Sequence, residues 1–134
     1  EAFTVLEQNV KVVSFEPHMH AYGARMCLDA IWSNTTESLT CSGYNHSWVR
    51  SYAFGEDAQP LLPKGTILRI TSYFDNTPAN RNVPDPRNWS GSGHRSIDNM
   101  SVAITMSIPL SDEEFQRRAD EVKGSLGLAA ALRS

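Results

Sequence analysis

Apolar and polar positions alternate along most of this chain. The pattern is cleanest near the end: Met100, Val102, Ile104, Met106, Ile108 and Leu110 fall on one side of an extended segment, and Ser101, Ala103, Thr105 and Ser107 on the other. Period two predicts a strand with its apolar face in the core and its small, polar face towards solvent. Residues 3–6 and 10–15 are short, β-branched or aromatic, and lack helical periodicity, so they predict two strands or one bent strand. Residues 25–32 and 38–42 predict a hairpin. Trp48, Arg50, Tyr52 and Phe54 share one face of a further strand, and the Pro and Gly of residues 60–65 turn the chain into another over 66–74.

After Leu110 the pattern changes. Ser111 and Glu114 have the spacing of a capping box, in which hydroxyl and carboxylate satisfy the free amides at a helix start. A helix is predicted to about Lys123. Gly124 and Gly127 weaken its continuation, leaving residues 126–132 as a second short helix or a docking tail that presents Leu126, Leu128 and Leu132. The prediction is therefore all-β: an antiparallel, jelly-roll-like β-sandwich over residues 1–110, with a helical appendage and tail over 111–134.

Composition narrows the function. A chain of 134 residues, 40% hydrophobic and 20% charged, makes one domain with one core. With 12 basic against 15 acidic side chains and a net charge of -3, nothing draws it generally to phosphate backbones, so nucleic acid is not an expected partner. No apolar run approaches the roughly 20 residues of a spanning helix. The sequence opens at Glu1 without an initiating Met or a signal-like segment, which points to a processed product or a piece of a longer precursor.

Cys27 and Cys41 flank the predicted hairpin turn and face each other if it centres near Asn34, so a cross-strand disulfide is geometrically open to them; two buried free thiols are the alternative. A disulfide implies an oxidising, extracytoplasmic compartment, periplasmic or secreted. Residues 75–95 are rich in Asn, Asp, Pro and Gly, too long a loop to lack a purpose. Their oxygens do not have EF-hand spacing, and capping of their own turns is the simpler reading than calcium.

The chemistry-bearing run is Glu16-Pro17-His18-Met19-His20. In an extended segment His18 and His20 project to one face and both imidazoles can reach one ion. Alone, a His-x-His more often reflects surface or hydrogen-bonded histidines. His46 and His94 have no comparable spacing partner. Structural zinc normally takes four ligands, which two nitrogens without a cysteine pair do not provide. For copper, a thioether is a natural third ligand.

The run from Phe15 through His18-Met-His20 to Gly23, the Leu62-Pro-Lys-Gly-Thr66 turn, Asp75-Asn-Thr-Pro-Ala-Asn80, Pro84-Asp-Pro86 and Gly93-His-Arg-Ser-Ile-Asp-Asn-Met100 resemble the C-terminal domain of copper type II, ascorbate-dependent monooxygenases, bacterial extracytoplasmic members above all. The resemblance spans about residues 10 to 110. It implies a jelly-roll sandwich in which His18, His20 and Met100 hold one copper, O2 is the oxidant, and ascorbate or a partner protein supplies electrons. It also implies a second copper in a preceding domain, for which this chain has no room. The peptide-amidating members carry an Arg two residues before the first His and a Tyr four after the Met; here those positions are Glu16 and Ile104, so peptidylglycine is not the expected substrate. Ser101 stands where the animal enzymes have a Cys.

Two functions follow as expectations. One is a mononuclear copper-binding, monooxygenase-like domain that hydroxylates only with a second copper domain or electron donor. The other is an inactive sandwich retained as an accessory or assembly subunit of a larger extracytoplasmic or membrane-associated complex.

Overall fold

The computed structural model describes residues 1–133, with side chains described to Gly124. Its strands are β1 (Ala2–Val5), β2 (Asn9–Met19), β3 (Gly23–Trp32), β4 (Thr35–Gly43), β5 (Tyr52–Ala53), β6 (Leu61–Leu62), β7 (Ile67–Phe74) and β8 (Ser101–Leu110), followed by a helix, α1 (Asp112–Arg133). One sheet has the order β1-β7-β3-β4; in the other, β2 pairs β8 along one edge and β5 and β6 along the opposite edge. Every strand pairing is antiparallel. The architecture is the expected all-β sandwich.

The core lies between the sheets. β2 contributes Val10, Val12, Phe15 and Met19; β3 contributes Met26, Leu28 and Ala30; Leu62 and Leu68 close the cluster. Strict alternation would send Val12 and Phe15 to opposite faces. A bulge between Val12 and Ser14 absorbs the extra residue, so both point inward. Phe15, Met19, Met26 and Leu28 are fully enclosed, each worth about 1.5–3 kcal/mol of apolar burial.

Three predicted elements differ from what forms. The apolar face of β8 does not enter the core: Val102, Ile104, Met106 and Ile108 are exposed, Met100 is half-buried, and of that set only Leu110 is buried. The partner strand decides this. β2 already presents Phe15, Pro17 and Met19 inward, and the register pairs them with the small Thr105, Ala103 and Ser101, of which Ala103 packs against the core. The strand expected around Trp48 and Arg50 reduces to Tyr52–Ala53, while the Arg50 guanidinium stacks 4.5 Å over the Trp48 ring. The helix does not stop near Lys123 but runs through Gly124 and Gly127 to Arg133. Leu126, Leu128 and Leu132 lie outside the residues whose side chains are described.

Its start is as predicted on one side only. The Glu114 amide donates to the Ser111 hydroxyl at 3.2 Å, whereas the Glu114 carboxylate turns to Arg118, also at 3.2 Å. The Asn9 amide ties this start to the sandwich: its Nδ2 donates to Asp112 at 2.7 Å and its Oδ1 accepts from the Lys64 amide at 2.8 Å. On the outer face of the other sheet, Cys27 lies opposite Cys41 and the two form a disulfide. The loop it closes spans 14 residues, for which chain entropy predicts about 3 kcal/mol of stabilisation. On the same face two nitrogens of the Arg69 guanidinium donate to one oxygen of Asp29, at 3.1 and 2.9 Å.

Candidate metal centre

β2 continues two residues past Pro17, which carries no amide hydrogen for a ladder. The ladder to β5 has already ended at Phe15, so Pro17 is tolerated there and His18 stays extended. Phe15, Pro17 and Met19 are buried inward, which places Glu16 and His18 on the outer face. The His18 and His20 rings stand 5.6 Å apart between centroids, at 76°. The two rings are therefore neighbours at the end of β2.

His20 is buried, with 8% of its surface exposed. Its Nδ1 lies 3.2 Å from the Asp98 carbonyl oxygen. A carbonyl only accepts, so this hydrogen bond needs the proton on Nδ1, and in that neutral tautomer Nε2 has the lone pair. That carbonyl is held by a tight loop. The Arg95 guanidinium grips the Asp98 carboxylate at 2.7 Å, the Asp98 amide donates to the Arg95 carbonyl at 2.8 Å, and the Ala21 amide donates to the Ser96 carbonyl at 3.1 Å. Hydrogen bonds from the Arg95 side chain hold the Asp98 carboxyl below the usual aspartate range.

Met100 follows two residues later. The last ladder pair is Met19 with Ser101, so His20 and Met100 are the residues that lie one beyond that pair, outside the strands. His18 faces Val102, and Glu16 faces Ile104. Met100 directly precedes β8 and is half-buried, two residues before Val102, the partner of His18. A cavity of about 500 Å3 opens next to this loop, lined by Tyr22, Pro84, Trp89, Arg95, Ile97 and Asp98. Trp89 is almost fully exposed at its rim.

The residue that spacing missed is His46. Its ring centroid is 6.1 Å from that of His20, at 73°. The β3–β4 hairpin returns the chain to the end of β2, where the Tyr44 amide donates to the Ala24 carbonyl at 2.8 Å. The Tyr44 hydroxyl donates to the Met19 carbonyl and lies 3.5 Å from Nδ1 of His46. Burial pushes the Tyr44 hydroxyl pKa up, so it remains a proton donor. The only sequence signal was alternation of Tyr44 and His46 just beyond β4. His94 is exposed. Among the described residues, no group of three or more His, Cys, Asp or Glu closes into a metal-holding cluster.

The loop oxygens considered for calcium are used locally. Asp75 accepts from the Thr77 amide at 2.9 Å, Asn80 Oδ1 accepts from the Asn82 amide at 3.1 Å, and Asp85 accepts from the Arg87 amide at 3.0 Å. No protein family, curated protein or solved structure matches this chain. Among the described residues no helix is long and apolar enough to cross a membrane.

Proposed function

We propose that this chain is a mononuclear copper-binding, monooxygenase-like domain, with His18, His20 and Met100 as the ligands. The observation that carries the reading is His20: buried, its Nδ1 within hydrogen-bond distance of the Asp98 carbonyl, and its ring 5.6 Å from that of His18. Metal-ligating histidines are commonly oriented by such a bond from the other ring nitrogen. Two imidazoles and a thioether suit both oxidation states of copper. Bound copper would supply one-electron chemistry towards O2, with ascorbate or a partner protein as reductant and a second copper domain or partner needed for the other electron.

The chain's own residues do the positioning. Arg95 and Asp98 fix the loop that orients His20. Glu16 and Ile104, neighbours across the ladder beside His18, present an acid and an apolar group to anything bound there. Such a surface disfavours a substrate carboxylate. The disulfide supports an extracytoplasmic setting, periplasmic or secreted. Copper analysis after reconstitution tests the reading: about one ion per chain is expected for the native protein and a large loss for His18→Ala. Less than about 0.2 per chain, unchanged by His18→Ala, overturns it.

A second reading, an accessory or assembly subunit of a larger extracytoplasmic or membrane-associated complex, is favoured by the outer face of β8. Val102, Ile104, Met106 and Ile108 form an exposed apolar row on a strand that pairs only with β2 among the described residues. A protein partner covering this row is expected to be lost from a co-purified complex when Ile104 and Met106 are both replaced by Lys. A chain that sediments as a monomer, with or without those changes, removes the support.

A further inference from the structure

We propose that the cavity beside the Asp98 loop is a binding site for a neutral carbohydrate, with Trp89 as the platform on which one sugar ring stacks. The inference rests on the wall of the cavity and stands apart from the copper reading.

That wall is tied together within the chain. The Asn99 amide donates to the Gly91 carbonyl at 2.9 Å and the Gly93 amide to the Asn99 carbonyl at 3.2 Å. The Ser90 hydroxyl donates to the Ile97 carbonyl, and the Asn99 side-chain amide to the Ser90 carbonyl, both at 3.2 Å. Residues 90–93 are thereby fixed against 97–99, and a preformed wall spares a ligand the cost of ordering it. A volume of about 500 Å3 is within the range of small-molecule sites.

Charge narrows the ligand. The charged groups of the wall are already matched: Arg95 grips Asp98 at 2.7 Å, and Arg87 grips Asp85 at 2.9 Å. An ionic ligand would have to displace one of these partners, whereas a neutral one leaves both pairs intact. The rest of the wall mixes hydrogen-bonding and apolar groups, with Asn88 and Ser92 beside Tyr22, Ile97 and Trp89. A purely aromatic ligand would cover the amide and hydroxyl without pairing them, at a desolvation cost. A sugar ring meets both kinds of surface, with hydroxyls around its edge and C–H groups on its faces.

Trp89 is the feature that selects a ring. Some 90% of its surface is exposed, although an indole carries one of the largest apolar areas of any side chain. Its place at the rim depends on Gly91, where an added Cβ would come within 2.7 Å of the ring atom Cη2 and 2.9 Å of Cζ3. The glycine lets the indole rest its edge on the backbone and keep its faces open to a flat partner.

The test is titration of the metal-free chain with cellotetraose, chitotetraose and mannotetraose, read by calorimetry and by 1H–15N NMR. The native protein is expected to bind at least one of them, with shifts at the Trp89 indole N–H and at the amides of residues 90–99. Trp89→Ala is expected to weaken binding by about tenfold or more. Gly91→Ala, which moves the indole without removing it, is expected to weaken binding by a smaller factor. Trp48→Ala, which removes an exposed indole elsewhere on the surface, is expected to change nothing. Circular dichroism and thermal melts establish that each variant is folded. Absence of binding to all three sugars at about 5 mM overturns the inference, as does binding that Trp89→Ala leaves unchanged. Uptake of N-acetyltyrosine amide at this cavity in place of the sugars overturns the ligand class. Metal analysis tests the copper reading separately, so the failure of one leaves the other standing.

Discussion

At the scale of single residues, the junction of β2 and β3 determines whether any site exists. Gly23 begins β3 directly beneath the end of β2, where an added Cβ would come within 2.5 Å of the Met19 Cβ and 2.9 Å of the Tyr44 ring. Neither neighbour has room to yield: Met19 is fully enclosed, and Tyr44 is bonded to its carbonyl. Gly23→Ala is therefore expected to destabilise the fold by about 1–3 kcal/mol, as overpacked cores do, and to displace Tyr44. Urea denaturation reads the first effect, and the NMR shifts of the His46 ring read the second. An unchanged midpoint would mean that the two strands separate more easily than their packing implies. The Glu16 to His20 run was legible in the sequence because a strand's alternation is local. His46 was not, because its approach to His20 depends on where a hairpin returns the chain, and no spacing rule reports that.

Among the elements, β8 shows where a sequence pattern stops being informative. Period two establishes which residues share a face; it does not state which face looks inward. That choice fell to β2, whose Phe15, Pro17 and Met19 fill the interior and leave room only for Ser101, Ala103 and Thr105 across the ladder. The capped start of α1 was legible from Ser111, a local device, whereas its passage through Gly124 was not. A glycine costs a helix interior only about 1 kcal/mol relative to alanine, so it weakens a helix without ending it. The face assignment of β8 has a direct check. Ala103 packs against the core cluster, so Ala103→Leu is expected to cost about 1–3 kcal/mol. Ile104 is half in solvent, so Ile104→Thr is expected to fall within about 0.5 kcal/mol of the native protein. The reverse ranking in thermal melts would restore the face predicted from alternation alone.

For the whole molecule, the loop between β7 and β8 links acidity to folding. Asp75 is held below the usual aspartate range by hydrogen bonds from Thr77, side chain before backbone, and Asp85 by those from Arg87, again side chain before backbone. Both carboxylates bind protons less readily in the folded loop than in the unfolded chain. Their contribution is therefore fully present above the unfolded value of about 3.9 and is lost as pH falls through the depressed folded values. Both lie half-buried at the surface, so screening by salt should shrink the effect. The expected result is a urea midpoint that holds steady down to about pH 4 and then declines, with a shallower decline for Asp85→Asn. Amide protection at Thr77 and Arg87, relative to the intrinsic exchange rate, should fall over the same range, since those are the hydrogen bonds being released. Because the same loop carries Asp98 to His20, its acid loosening should also free the His20 ring before the sandwich unfolds. If exchange at Thr77 and Arg87 instead tracked global unfolding at every pH, the loop would be part of the sandwich's cooperative unit and not a separately titrating cover.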